Sequence, residues 1–439
     1  MRLISVTING FKNLKMTKIT LQDITALIAV NNFGKTNLID AIAFGFDFIS
    51  QSSKARDRMM RWRKGIPLNP ALENSPFYFD LEFENDNLAE HRYINYGFTF
   101  SWYNDKDKEG FITDEWIRTR KNTSVKYTSY LKRNEGKYRQ SKIITSYKTI
   151  KLENKILAID LLELFTDEEI SEVAESIKSL KFALCDSLDA DEMFNGPAIE
   201  FNDKEAQAFG SQQVPKIMWD LKKADEERYD ILIESILDIF PEFNSIDVEY
   251  MKLDSKRVIT IVTGENDKNT EEEDLNLPFK ISDGIYRIMI QNKYLNQSVN
   301  IDMMSAGTKR IIWLLANLFS AKYTGVSIIA IEEIETSIHP KLLKTLLEII
   351  SELSKEVSIL ITSHSPLLIQ YLKPESLYVG NKDESGCISF SKIKQSKMAN
   401  VKGAAKKRGM NIGEFIFDVI SKDTESSSIL NTILEESND

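Results

Sequence analysis

Residues 326–340 read VSIIAIEEIETSIHP, and the reading of this stretch decides the fold. Its opening run of Val and Ile is apolar on both faces, as a strand buried within a parallel sheet is. Glu332 and Glu333 stand where that strand would end. Open α/β sheets bind their ligands beyond the carboxyl ends of the strands. An acidic pair there can hold Mg²⁺ through one carboxylate and polarise a water with the other. Taken alone, the same letters also describe a strand that stops at a charged loop.

The partner stretch lies near the other end of the chain. Thr25 to Asn37 reads TALIAVNNFGKTN, a strand-like run Ala26 to Val30 followed by a tight loop and Gly34-Lys35-Thr36. An apolar-periodic helix, Leu38 to Phe48, comes next. Strand, loop, Gly-Lys-Thr and helix form the context of a phosphate-binding loop. Its backbone N–H groups and the helix N-terminus make an anion site. In that site Lys35 reaches the β- and γ-phosphates and the Thr36 hydroxyl coordinates Mg²⁺. Ala29 stands where the motif's first glycine is expected, which alanine can serve if its φ is negative.

The 439 residues give room for two or three domain-sized units, or for one large α/β core with an insertion. A net charge of −10 does not favour a general nucleic-acid coat, although local basic patches can still bind. Two distant cysteines, Cys185 and Cys387, make neither a disulfide framework nor a zinc cluster. The N-terminus reads as a strand rather than a signal peptide, and no apolar run approaches the ~18 residues of a membrane span. A cytoplasmic protein with no membrane partner is expected.

Along the chain, Met1 to Asp23 reads as two antiparallel strands joined at Asn9-Gly10. Phe11 and Lys12 follow, at a corner that lies over a base and ribose or is merely a turn with a solvated lysine. Lys54, Arg56, Arg58, Arg61, Arg63 and Lys64 surround Trp62, a run that meets a phosphate backbone or forms a solvated helix face. Alternating aromatic strands follow from Ser75 to Leu131. The span 118–142 is again basic and tyrosine-rich, with Tyr127, Tyr130 and Tyr138 among nine cations including Arg118, Arg133 and Lys142. It is a second candidate nucleic-acid contact or a lysine-guarded sheet edge. Ile156 to Lys181 turns helical, and Pro215 to Phe240 has the spacing of one amphipathic helix. Asp189, Asp191 and Glu192 form an acidic loop that alone hints at a separate metal site. Strands are expected at Ile246 to Tyr250 and Arg257 to Thr263. A basic cluster, Lys402 to Arg408, precedes a last helix and an acidic tail.

Ser305-Ala306-Gly307 stands before a long apolar helix, which makes it a second phosphate-binding geometry or simply a helix cap. Ser305 precedes Glu332 by 27 residues, room for one helix. A further apolar strand, Val357 to Thr362, ends in Ser363-His364, and a histidine beside a γ-phosphate can sense it.

In this order, the four elements resemble the ATP-binding-cassette type of ATPase head found in chromosome-maintenance, double-strand-break-repair and OLD-type proteins. The resemblance covers about the first 50 residues and roughly 280–380. It implies an α/β P-loop head with a mixed, largely parallel core sheet, an antiparallel β-subdomain, a helical insertion and no long coiled coil. The implied divisions are 1–150, a mainly helical 151–250, 251–400, and a tail of 401–439. Asn31, Asn32, Phe33, Gly34, Lys35, Thr36 and Asn37 then bind ATP, and Ser305 to Arg310 is the signature loop, with Ser305 and Gly307 serving the nucleotide of another copy. Thr36 and Glu332 hold Mg²⁺, Glu333 is the catalytic base and His364 the switch histidine. Glu335 to His339 resembles the D-loop, and the glutamine of the Q-loop has no evident place. A homodimer or higher homo-oligomer sandwiching ATP is implied.

Only 75 residues follow His364, too few for the nuclease domain of an OLD-type protein. The overall layout is similar to ATPase subunits of two-protein anti-phage systems of the Septu and PARIS kinds. That implies a separate nuclease or effector partner. The rival expectation is an ATP-gated nucleic-acid clamp or DNA-maintenance ATPase with little turnover.

Overall fold

The structure is a computed structural model of residues 1–439. It describes all of them except 31–32, 62–64, 104–109, 135–136, 141–147, 150–152, 154, 163–167, 187–192, 195–198, 202–212, 253–278, 282–283, 356, 422–432 and 435–439. The expected strand Arg257 to Thr263 and the acidic loop with Asp189, Asp191 and Glu192 lie outside the described residues. The chain divides into two compact units, Met1–Ala183 with Gly325–Glu335 and Ser351–Asp439, and Leu184–Thr324 with Thr336–Ile350.

The first unit carries the decisive strand. Ile328–Ile331 pairs in parallel with Ser358–Ser363, that strand with Ile24–Ile28, and Ile24–Ile28 with Leu377–Lys382. Ile388–Lys392 closes this edge antiparallel. Every residue of the first three strands is buried, which is why they read as unbroken apolar runs rather than alternating ones. The register sets Ile331 against Ile361 and Ser363 against Ile28. The carboxyl ends of three strands, drawn from opposite ends of the chain, therefore lie side by side.

A second, eight-stranded antiparallel sheet of the same unit begins Thr17–Thr20, Arg2–Asn9, Phe77–Glu84, Tyr93–Ser101, Phe111–Arg120. One face of it is lined with phenylalanine, and helix Lys35–Ser50 lies against that face. Phe48 of the helix stacks on Phe98 and Phe100 with centroids at 4.8 and 4.9 Å. Phe44 packs edge-on to Phe77 at 5.1 Å. Gly45 lets the helix approach, because a Cβ there would fall 2.2 Å from the Phe79 ring. Burying one such ring contributes about 1.5–3 kcal/mol. Aromatic packing, more than intrinsic propensity, thus fixes the helix that follows the Gly-Lys-Thr motif.

Three details correct the sequence reading. The corner after Asn9 is wider than a two-residue turn: Gly10 N–H bonds Leu14 O, and Lys12 sits at φ 51°. Phe11 is buried against Phe44 and Phe77 and so belongs to the core. Lys12 pairs with Asp40 at 2.6 Å.

Both basic patches also lose members. Arg56 is 1% exposed, donates to the Phe48 and Ile49 carbonyls, and pairs with Asp160, which also takes Lys178 at 3.0 Å. In the second patch, Tyr130 is buried against His91, and Arg133 is buried beside Glu115 and donates to the Ile156 carbonyl. Charge composition cannot say which face of an element turns inward, and these turn inward. Trp62, Arg63, Lys64 and Lys142 lie outside the described residues.

In the second unit the single helix expected over 215–240 is two, Val214–Ala224 and Glu226–Ile239. Asp225 breaks it, ending one helix while its carboxylate accepts the Arg228 N–H as the cap of the next. Phe243–Lys252 pairs antiparallel with Gly284–Asn292. Helix Ala306–Thr324, at 19 residues, is buried over most of its length. No coiled coil is evident among the described residues, and no helix among them is long and apolar enough to cross a membrane.

Arg56→Ala is expected to lower unfolding stability by about 3 kcal/mol, the low end for breaking a buried pair, because Asp160 keeps Lys178. A urea midpoint within error of the wild type would contradict this assignment.

Candidate functional site

Each of the three adjacent strand ends delivers one part of a cluster. After Ile28 comes Ala29, then the loop to Gly34 and Lys35. After Ile331 come Glu332 and Glu333, and after Ser363 comes His364. All lie in the first unit, around a cavity of about 340 Å³. Phe33, Gly34, Lys35, Thr36, Asn37, Glu332, Glu333, Thr362 and His364 line it. Asn31 and Asn32 lie outside the described residues. The lining brings together the other expected first-unit residues and adds Thr362, which sequence reading passed over. No glutamine is among the described residues that line the cavity.

Gly34 caps the helix at φ 71°, a left-handed conformation that glycine takes without steric cost. Ala29, in place of a glycine, has no positive φ. A Cβ on neighbouring Gly380 would fall 2.9 Å from the Ala29 Cβ, so the missing glycine of one strand is matched by a glycine on the next.

Lys35 is the hub of the cluster. Its Nζ donates to Ala29 O at 2.8 Å and Val30 O at 3.3 Å, and lies 3.2 Å from His364 Nδ1. Burial lowers its pKa to about 8, against the opposing pull of Glu333, Glu335 and Glu332. An ammonium has only donors, so Nδ1 of His364 accepts and the ring proton sits on Nε2. That Nε2 faces Glu333 Oε1 at 3.5 Å. Burial first, and Lys35 second, hold the histidine below its usual pKa, which keeps the ring neutral near pH 7.

The acidic pair divides its tasks by conformation. Glu333 takes φ 47°, which turns it out of the strand direction of Glu332, and its N–H is held by Thr362 Oγ1 at 3.0 Å. Its side chain remains about half exposed, at 55%. Among the described residues no group of three or more His, Cys, Asp or Glu could hold a metal by itself. Thr36 and Glu332 instead offer two hard oxygens to the cavity that both line. Mg²⁺ is commonly bound by one or two protein oxygens, with phosphate and water completing its shell. The residues present fit Mg·ATP.

Ser305 and Gly307 belong to the second unit. Ser305 Oγ accepts the Thr308 N–H at 3.1 Å and so caps helix Ala306–Thr324 from an exposed position. A Cβ on Gly307 would meet Ser337 O at 2.4 Å, so this loop packs on Ser337 of the D-loop-like segment within that unit. His339 accepts the Lys341 N–H at 3.2 Å and caps helix Pro340–Leu353. The acceptor that sequence reading undervalued is Glu335. Its Oε1 takes the His364 N–H at 2.7 Å and the Ser363 hydroxyl at 2.9 Å.

A family model described as "AAA domain, putative AbiEii toxin, Type IV TA system" matches residues 24–370. No curated protein matches the chain. Among solved structures, an Smc head bound to the C-winged-helix domain of ScpA superposes with a TM-score of 0.50 at 14% identity. It covers 91% of this chain and 100% of that one. The SMC head domain from Thermotoga maritima gives 0.41 at 13%, covering 90% and 100%. An Smc head from Pyrococcus furiosus, solved with an extended coiled coil and bound to the C-terminal domain of ScpA, gives 0.45 at 13%, covering 92% and 99%. The first of these likenesses shows the fold: an ABC-type P-loop head with parallel and antiparallel sheets.

The depressed Lys35 fixes a pH signature. Bound phosphate raises its pKa, so near pH 8 and above the protein gains a proton when Mg·ATP binds. Well below that pH, Lys35 is already charged and gains none. Calorimetry at about pH 8.5 in buffers of different ionisation heat should show uptake of up to about one proton per nucleotide. Equal uptake at about pH 6.5, or none at either pH, would contradict the assignment.

Proposed function

The chain belongs to the AAA-domain family that it matches over residues 24–370, and on that premise we propose that it is a Mg²⁺-dependent ATP hydrolase. Two or more copies close on the nucleotide, and the nucleotide state governs a separate effector protein in a two-component anti-phage system. The observation that carries the hydrolase reading is the convergence of Lys35, Thr36, Glu332, Glu333 and His364 on one cavity at three adjacent strand ends.

Lys35, held here by the Ala29 carbonyl, would bind the β- and γ-phosphates, whose negative charge favours the ammonium that burial disfavours. Thr36 and Glu332 would hold Mg²⁺, which would supply charge neutralisation for the phosphates. Glu333, partly exposed and turned aside by its backbone, orients the attacking water. His364 presents its Nε2 to Glu333 and lines the same cavity, where it would sense a γ-phosphate. Phosphoryl transfer needs little beyond such positioning and charge stabilisation.

Ser305, exposed, and Gly307, half-buried, stand at a helix N-terminus and suit a phosphate of another copy's nucleotide. The rival reading, a nucleic-acid clamp, is weakened by the burial of Arg56, Tyr130 and Arg133 in the patches that would serve it.

Glu333→Gln keeps the shape and removes the base. It is expected to bind Mg·ATP while turnover falls about 100-fold or more. Light scattering should then show a nucleotide-dependent rise from the mass of one chain to at least two. A Glu333→Gln protein that turns over ATP at the wild-type rate would sink the catalytic assignment, and one that binds ATP without any change in mass would sink the sandwich.

A further inference from the structure

Glu335 is two residues beyond the catalytic carboxylate, yet the cavity lining does not include it. Its Oε1 accepts two hydrogen bonds from the neighbouring strand end, from the backbone N–H of His364 at 2.7 Å and the Ser363 hydroxyl at 2.9 Å. Ser363 Oγ in turn accepts the Ser365 N–H at 2.8 Å. The turn that carries His364 is therefore tied on both sides of the histidine to a single carboxylate oxygen. A parallel latch holds the opposite strand end, where Thr362 Oγ1 accepts the Glu333 N–H at 3.0 Å.

The other oxygen, Oε2, is buried with no hydrogen-bond partner among the described residues. A carboxylate oxygen withdrawn from water without a donor is costly. An apolar side chain would remove that cost but also the two bonds that hold the turn. The Oε1 bonds are what the position retains, and their beneficiary is His364. That side chain has one nitrogen on Lys35 and the other facing Glu333.

Resting on the ATPase reading, we propose that Glu335 is the positioning residue of the site. It fixes the backbone of the Ser363–Ser365 turn so that one imidazole spans the phosphate-binding lysine and the catalytic base. It touches neither nucleotide nor attacking water; its hydrogen bonds act on His364, and its charge is a lesser influence on Lys35. Three consequences follow from that indirect role. Loss of Glu335 lowers kcat and leaves ATP affinity nearly unchanged, since Lys35 and the loop remain. Loss of His364 makes Glu335 irrelevant. Glutamine, which keeps a carbonyl acceptor, serves where alanine does not.

The experiment compares Glu335→Ala, Glu335→Gln, His364→Ala and the Glu335→Ala/His364→Ala double variant by steady-state kinetics. Long-range ¹H–¹⁵N spectra of the imidazoles are recorded in parallel, and only three histidines need assignment. Glu335→Ala should lower kcat about 10- to 100-fold with KM within about threefold. Glu335→Gln should recover most of that loss, and the double variant should be within about threefold of His364→Ala. In the spectra, the Nε2–H tautomer of His364 should give way to an averaged signal in Glu335→Ala.

A Glu335→Ala protein with wild-type kcat, or losses that multiply in the double variant, would overturn the proposal. So would an unchanged His364 spectrum. A wild type without turnover would instead overturn the ATPase reading, and the spectra would still decide whether Glu335 positions the histidine.

Discussion

Lys35 carries a charge into a largely buried place, and a charge there must be met by acceptors. The carbonyls of Ala29 and Val30 and the free nitrogen of His364 meet it. Those acceptors come from two adjacent strand ends, one from the start of the chain and one from its last third. The parallel register that pairs Ser363 with Ile28 is thus what allows the lysine to be there at all. Burial is what lowers its pKa, against the opposing pull of Glu333, Glu335 and Glu332. Phosphate binding then relieves a cost already present in the fold.

The same constraint accounts for the surroundings. The helix that starts at Lys35 must not move, and phenylalanines from helix and sheet interlock to hold it. The strand ends must keep their relative heights, and Thr362 and Glu335 tie one to the other across the gap. Where the phosphate loop departs from its usual glycine, Gly380 on the adjacent strand leaves room for the Ala29 methyl group. Rigid supports of this kind suit chemistry that depends on placing a water and a γ-phosphate rather than on covalent intermediates.

What the sequence disclosed was local. Unbroken Val and Ile runs announce strands buried on both faces, and Gly34-Lys35-Thr36 between a strand and a helix announces a phosphate loop. Adjacent carboxylates at a strand end are read as a metal ligand and a base. Thr362 and Glu335 were illegible in their roles, because their meaning comes from register between segments rather than from neighbours in sequence. Arg56, Tyr130 and Arg133 were read as surface because composition carries no information about which face turns inward. Asp225 looked like one more polar residue on an amphipathic helix, whereas its side chain is better used capping the helix that follows. Ser305 and Gly307 were recognisable as a motif, and their local geometry is that of a helix cap, a form that any phosphate donor could exploit.

The measurement that bears most directly on the central claim is release of inorganic phosphate from Mg·ATP by the purified chain, alongside Lys35→Ala and with the metal chelated. Sustained release by the wild type, abolished both by chelation and by loss of Lys35, is the predicted result. No release by a folded wild type, or release that Lys35→Ala retains, would contradict it.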